Sequence, residues 1–309
     1  MLKEAVSIKD VVHVEILRGH GAKKDAPPDF LVEVPHGADA QMHYDTHRKM
    51  LSGDLPHELD VFFHMNTDVG AWPYGRATAQ KILALSPKRT ALLVRALIPR
   101  TFIDCNRPAD HKGGRLDEGQ LTAGIPAYVK DAADKEHLRA IHRQYVDVAA
   151  AAYNAVCGRG GLAISPHTYG PRTLGIQTVD DTIVEQIRWA VAPERVDTWP
   201  VRTDVDLLTR DSGGTLYAPE GLEEELISSF TAAGYTTKAN DTYNLHAATL
   251  GYTWSLAHPG QVLCLEVRRD LLVKSWSWTE ETVADDAKCA RVADVLGPAL
   301  AKRLDAMLS

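Results

Sequence analysis

Four apolar runs in the sequence end in side chains that can do chemistry: His36-x-x-Asp39, Asp104-x-Asn106-Arg107, His167-Thr168-Tyr169 and Glu266-x-Arg268. Two histidines and one carboxylate suffice to hold a zinc ion with its fourth position open to water. A separate glutamate beside that water can take its proton and return it to a leaving nitrogen. Arginines bind a substrate carboxylate through a planar two-bond fork. Each piece alone has a plainer reading. His-Gly-x-Asp is a common turn, Asn-Arg can be a turn with a solvated charge, and Glu-x-Arg can be a surface pair of little worth. Their recurrence at four strand ends favours a site.

These residues need a frame to bring them together. Phe30 to Val34 reads as a buried strand, as do Ala91–Val94, Thr101–Cys105, Gly161–Ser165 and Gln261–Leu265. An initial strand is expected within 8–18, a short helix near 43–52, and a helix from Val69 to Leu85 capped by Thr67 or Asp68. Pro126 is expected to open a helix that runs to about Val156, after a long polar loop from Pro108. Further helices are expected at 180–192 and 219–233, with a strand at 200–208 between them. Ser277-Trp278-Thr279-Glu280 is a capping-box pattern, expected to start the last helix, with a break at Gly297-Pro298. Alternating strands and helices predict an α/β fold: a single domain over 1–309 with a central mixed, mainly parallel sheet flanked by helices. In such sheets, strand ends on one edge converge on a ligand crevice.

Composition narrows the function. Lys plus Arg number 34 against 41 acidic residues, a net charge of -7, which leaves no electrostatic footprint for nucleic acid. No apolar run reaches the roughly 20 residues that span a bilayer. The first ten residues carry no signal-peptide core, so a cytoplasmic location is expected. Cys105, Cys157, Cys264 and Cys289 are scattered without a CxxC pair and read as reduced, buried thiols. The oligomeric state has no signature in the sequence.

Taken together, Val34-Pro35-His36-Gly37, Asp104-Cys105-Asn106-Arg107, Ser165-Pro166-His167-Thr168 and Leu265-Glu266-Val267-Arg268-Arg269-Asp270-Leu271 resemble the N-formylglutamate amidohydrolase family. The resemblance runs from about residue 30 to 272. That family is similar in fold and site to the zinc carboxypeptidases, within the phosphorylase/hydrolase-like folds. The resemblance implies zinc as cofactor, with His36, His167 and Asp39 as ligands and Glu266 as general base and proton shuttle. It implies that Asn106 and Arg107 clamp a substrate carboxylate, with Arg268 as a second anion contact or a brace for Glu266. Two departures matter. The family's acid falls one residue later than Asp39, which makes Asp68 an alternative ligand. Ser165-Pro166-His167 replaces the family's Asp-Leu-His, altering the loop from Thr168 to Thr178, whose Thr168 and Arg172 are expected on the substrate side. The expected activity is hydrolysis of a small anionic N-acylated amino acid resembling N-formylglutamate. A small-peptide carboxypeptidase needs the same parts. A non-catalytic metal or carboxylate binder is the other alternative, although zinc binding alone does not require Glu266.

Overall fold

The computed structural model describes residues 5–116 and 120–308. The chain before residue 5, three residues of the expected long loop and the last residue of the expected final helix lie outside them. The described strands are β1 (Val12–Arg18), β2 (Phe30–Val34), β3 (Thr90–Ala96), β4 (Leu162–Tyr169), β5 (Val205–Leu208), β6 (Thr237–Ala239) and β7 (Val262–Arg268). They form one mixed sheet in the order β1-β3-β2-β4-β7-β5-β6. The four central strands β3, β2, β4 and β7 are parallel neighbours. β1 joins β3 and β5 joins β7 in antiparallel fashion, so the mixed sheet with a parallel centre is present.

Helices cover both faces. They are α1 (Gln41–Arg48), α2 (Asp60–Asn66), α3 (Ala71–Leu85), α4 (Ala132–Val156), α5 (Ile183–Ala190), α6 (Pro193–Val196), α7 (Leu222–Ala232), α8 (Leu250–Ala257) and α9 (Asp286–Met307). β2 shows how the layers are assigned. All five of its residues are buried, because alternate side chains enter two separate cores. Phe30, Val32 and Val34 pack in the core that includes α3, α7 and α9. Leu31 packs in the opposite core with α1, α2, α4 and α5.

Several boundaries differ from expectation for local reasons. Thr101–Cys105 is buried but forms turns rather than a strand. Phe102 and Ile103 donate to the Pro99 carbonyl, and the Tyr128 hydroxyl donates to the Thr101 carbonyl. Its backbone is therefore satisfied without a ladder. α4 starts at Ala132 rather than near Pro126, because Asp131 accepts from the amides of Ala133 and Asp134. Likewise Asp285, not Ser277, caps the last helix. The Ser277 hydroxyl does accept from the amides of Thr279 and Glu280, but that turn is not continued. Pro298 lies inside α9 without ending it. Leu296 and Leu300 on either side of it share a core with Ala79 and Ile82 of α3, and that packing holds the helix through its missing hydrogen bond. β5 is shorter than the expected strand, while α8 and β6 were not anticipated.

The feature that positions the site is a parting of strands. β4 pairs with β2 only over Leu162–Ile164, but with β7 as far as Tyr169. Beyond Ile164 one flank of β4 is free, so Pro166, which lacks an N–H, is tolerated in a central strand. The parting opens a crevice at the carboxyl ends of the parallel strands, where ligands bind in open α/β sheets.

Candidate metal centre

His36 follows β2, Asp68 lies between α2 and α3, and His167 is in β4. Their ligand-capable atoms face one another. His36 Nδ1 is 3.2 Å from Asp68 Oδ2, His167 Nδ1 is 3.1 Å from the same oxygen, and the two Nδ1 atoms are 3.2 Å apart. All three side chains are buried. Two glycines shape the approach. A Cβ at Gly37 would stand 2.4 Å from Arg95 Cγ, so only glycine lets the chain after His36 turn over that side chain. Gly70, at φ +94, occupies the left-handed region and turns the chain from Asp68 into α3.

The triangle fits a cation. Around a tetrahedral zinc with bonds near 2.0–2.2 Å, ligand atoms stand roughly 3.3 Å apart. Two unprotonated imidazole nitrogens and a carboxylate oxygen this close present lone pairs to one another and repel, and a cation among them turns that repulsion into binding. The surroundings match. His36 Nε2 is 2.8 Å from Asp104 Oδ1, the carboxylate support that metal-binding imidazoles commonly have. Burial and Arg100 push the His36 imidazole pKa down, but Asp104 and Asp68 outweigh them and leave it raised. Burial alone would raise the Asp68 carboxyl, yet His36, His167 and Arg100 hold it well below the usual range.

Glu266 completes the centre. The β4–β7 register places it directly opposite His167. Burial, opposed by His167 and reinforced by Asp68, pushes its carboxyl up to about 7. Its Oε2 is enclosed and has no hydrogen-bond partner among the described residues. Arg107 is buried too, with Nη1 on the Asn106 carbonyl and Nε unpartnered among the described residues. Its own carbonyl lies 2.9 Å from His142 Nε2 of α4, which fixes the turn. The Asn106 side chain is oriented by α8, the Gly251 amide donating to its Oδ1 at 2.9 Å. The Thr168 amide donates to Asp68 Oδ2 at 3.3 Å.

The structure departs from the sequence reading at three residues. Asp39 is outside the triangle, because Arg95 Nη2 binds its Oδ1 at 2.7 Å while Arg95 Nε holds the Gly37 carbonyl. Asp68 takes its place. Arg268 does not brace Glu266 but pairs with Asp204 and Asp270. Arg172 binds Asp197 and the Trp199 carbonyl. Three residues next to the site were not anticipated. Arg100 reaches Asp104 at 3.0 Å, and Arg269 bonds to Thr168. Glu33 lies behind His167. Only Glu33 had a visible signal, a charge in the middle of an apolar strand.

A family model described as N-formylglutamate amidohydrolase matches residues 30–273. No curated protein matches the chain. Two solved structures are similar to it over nearly their whole length. An N-formylglutamate amidohydrolase from Ralstonia eutropha JMP134 is 17% identical, with a TM-score of 0.54, covering 97% of this chain and 98% of that one. A gene product of Agrobacterium tumefaciens is 18% identical, with a TM-score of 0.52, covering 97% and 96%. At these identities the likeness is one of fold.

Proposed function

Since the chain belongs to the N-formylglutamate amidohydrolase family, we propose that it is a zinc-dependent hydrolase cleaving the amide bond of a small anionic N-acylated amino acid such as N-formylglutamate. The observation that carries the zinc is the buried triangle of His36 Nδ1, Asp68 Oδ2 and His167 Nδ1. Those three residues would hold the ion. When bound, zinc would acidify a water and polarise the scissile carbonyl.

The chain's own groups account for the rest. Arg107, a buried cation whose Nε has no partner among the described residues, is suited to hold the substrate carboxylate. Asp104 orients His36 by accepting from its Nε2. Glu266 presents a free carboxylate oxygen beside the triangle, at a basicity suited to accepting a proton near neutral pH and returning it to the leaving nitrogen. Asn106 and Thr168 remain at the site through backbone positioning. Arg268 and Arg172, already engaged with carboxylates, have no part in this reading. No helix among the described residues is long and apolar enough to cross a membrane. A cytoplasmic place of work is part of this reading, and the free, buried thiols of the four cysteines suit a reducing compartment.

Metal analysis together with product assay tests this reading. One zinc per chain and release of glutamate from N-formylglutamate are expected. A protein that binds no zinc, or that cleaves peptides but no N-acylated amino acid, overturns it.

A further inference from the structure

Glu33 is a buried charge with no part in the chemistry above. It lies in β2, 3% exposed, in a strand otherwise made of Phe, Leu and Val. A carboxylate in such a place is tolerated only if its oxygens are satisfied. Three hydroxyls converge on it. Tyr145 of α4 donates to Oε1, while Tyr153 of α4 and Ser165 of β4 donate to Oε2 at 3.4 and 3.1 Å. Burial pushes its carboxyl up, and the Tyr145 and Ser165 hydroxyls oppose that shift.

The Ser165 contact has a direction. Ser165 Oγ also lies 3.4 Å from His167 Nε2. A hydroxyl has one proton to donate. Given to Glu33, it leaves a lone pair toward the ring, so Nε2 must carry the hydrogen. Nδ1, the atom in the triangle, is then unprotonated. We propose that Glu33, acting through Ser165, is the positioning residue for His167, holding it in the Nε2–H tautomer with Nδ1 available to a cation. The assignment rests on the zinc reading above. It makes His167 the counterpart of His36, with a hydroxyl inserted between imidazole and carboxylate. Glu33 is anchored in turn by α4, so the ring's orientation is tied to a helix packed on that same face of the sheet.

The test uses the full chain with Ser165→Ala, Glu33→Gln and the double variant, and two readouts. One is the His167 tautomer in metal-free protein, from long-range nitrogen–proton correlations of labelled histidine. The other is zinc affinity by competition with a chromophoric chelator. The wild type should show the Nε2–H form. Both single variants should lose that fixed tautomer and bind zinc about 10- to 100-fold more weakly. The double variant should be no weaker than either single one, because both cut the same chain of bonds. If Glu33→Gln does not fold, Ser165→Ala decides alone. Unchanged tautomer and unchanged zinc affinity in Ser165→Ala, or additive losses in the double variant, overturn the proposal. A wild type that binds no zinc, yet whose tautomer shifts on Ser165→Ala, sinks the zinc reading and leaves this role standing.

Discussion

The two imidazoles of the triangle reach the same point by different means. His36 stands on a turn, just past the last residue of β2. Its second nitrogen meets Asp104 directly, and Asp104 is itself held by Arg100 and the Asn106 amide. His167 is inside β4, with ladder bonds to β7 on both sides of it and the Tyr74 hydroxyl on its carbonyl. Its second nitrogen meets the Ser165 hydroxyl at 3.4 Å. A side chain on a turn has no ladder to fix it, so a charged partner does so. A side chain within a strand inherits its direction from the register and needs a lighter hand.

That contrast can be broken at several points. The largest effect should come from removing either ring. His36→Ala and His167→Ala should each reduce zinc to background by elemental analysis, and full zinc in either would remove that residue from the ligand set. Next is Glu266→Gln, which belongs to the strand-borne side through its register with His167. Turnover should fall about 10²- to 10⁴-fold with zinc content kept. Loss of zinc instead would make Glu266 a ligand.

Asp104→Asn tests the turn-borne side. Zinc affinity should fall about 10- to 100-fold, measured by chelator competition. The same variant should change acid stability. Burial opposes ionisation of Asp104, but Arg100, Arg107 and His36 hold its carboxyl well below the ordinary 3.8. A carboxyl depressed in the fold adds stability above its ordinary pKa and gives it up as pH falls through the folded value. The metal-free wild type should therefore lose stability below about pH 4 more steeply than the variant. Equal slopes in acid titrations of unfolding would show that Asp104 is not so held. The smallest effect is expected from Asp39→Asn. It weakens the partly buried pair with Arg95 and should cost about 1 to 2 kcal/mol of stability by denaturant melting, with zinc affinity unchanged. Loss of zinc there would restore Asp39 as the acidic ligand in place of Asp68.

The same contrast explains what could be read from the sequence. The strand-borne His167 and Glu266 were legible, although Arg268 at the end of β7 was not, its partners Asp204 and Asp270 being set by the fold. The apolar runs ending at His167 and Glu266 announce the strands, and parallel strand ends meet on one edge. Which acid the turns deliver was not. Asp39 and Asp68 are both acids beside glycine-containing turns, and only the fold decides that Arg95 captures the first. Arg95 is a strand residue far from Asp39 in sequence, so no local spacing reveals the pair. Thr101–Cys105 was misread as a strand because burial, which an apolar pattern does report, is not the same as pairing. Ser277 likewise makes the hydrogen bonds of a cap without a helix to cap, since the packing that sustains a helix starts only at Asp285. Glu33 shows the converse: its charge was visible within an apolar run, but its meaning depends on hydroxyls from α4 and β4.

The placement of β7 has a bearing on how the molecule is made. Synthesis runs from the N-terminus, so β1 to β4 and all three corners of the triangle leave the ribosome first. β7, the partner that β4 needs along its outer side, begins at Val262, 93 residues after β4 ends at Tyr169. At ordinary translation speeds that is about 5 to 20 s. Throughout that interval β4, all eight of whose residues are buried in the finished fold, has an unpaired edge, the kind of template on which chains aggregate. The hazard in biogenesis is thus a wait in the middle of the chain, between the synthesis of Leu162–Tyr169 and that of its partner strand.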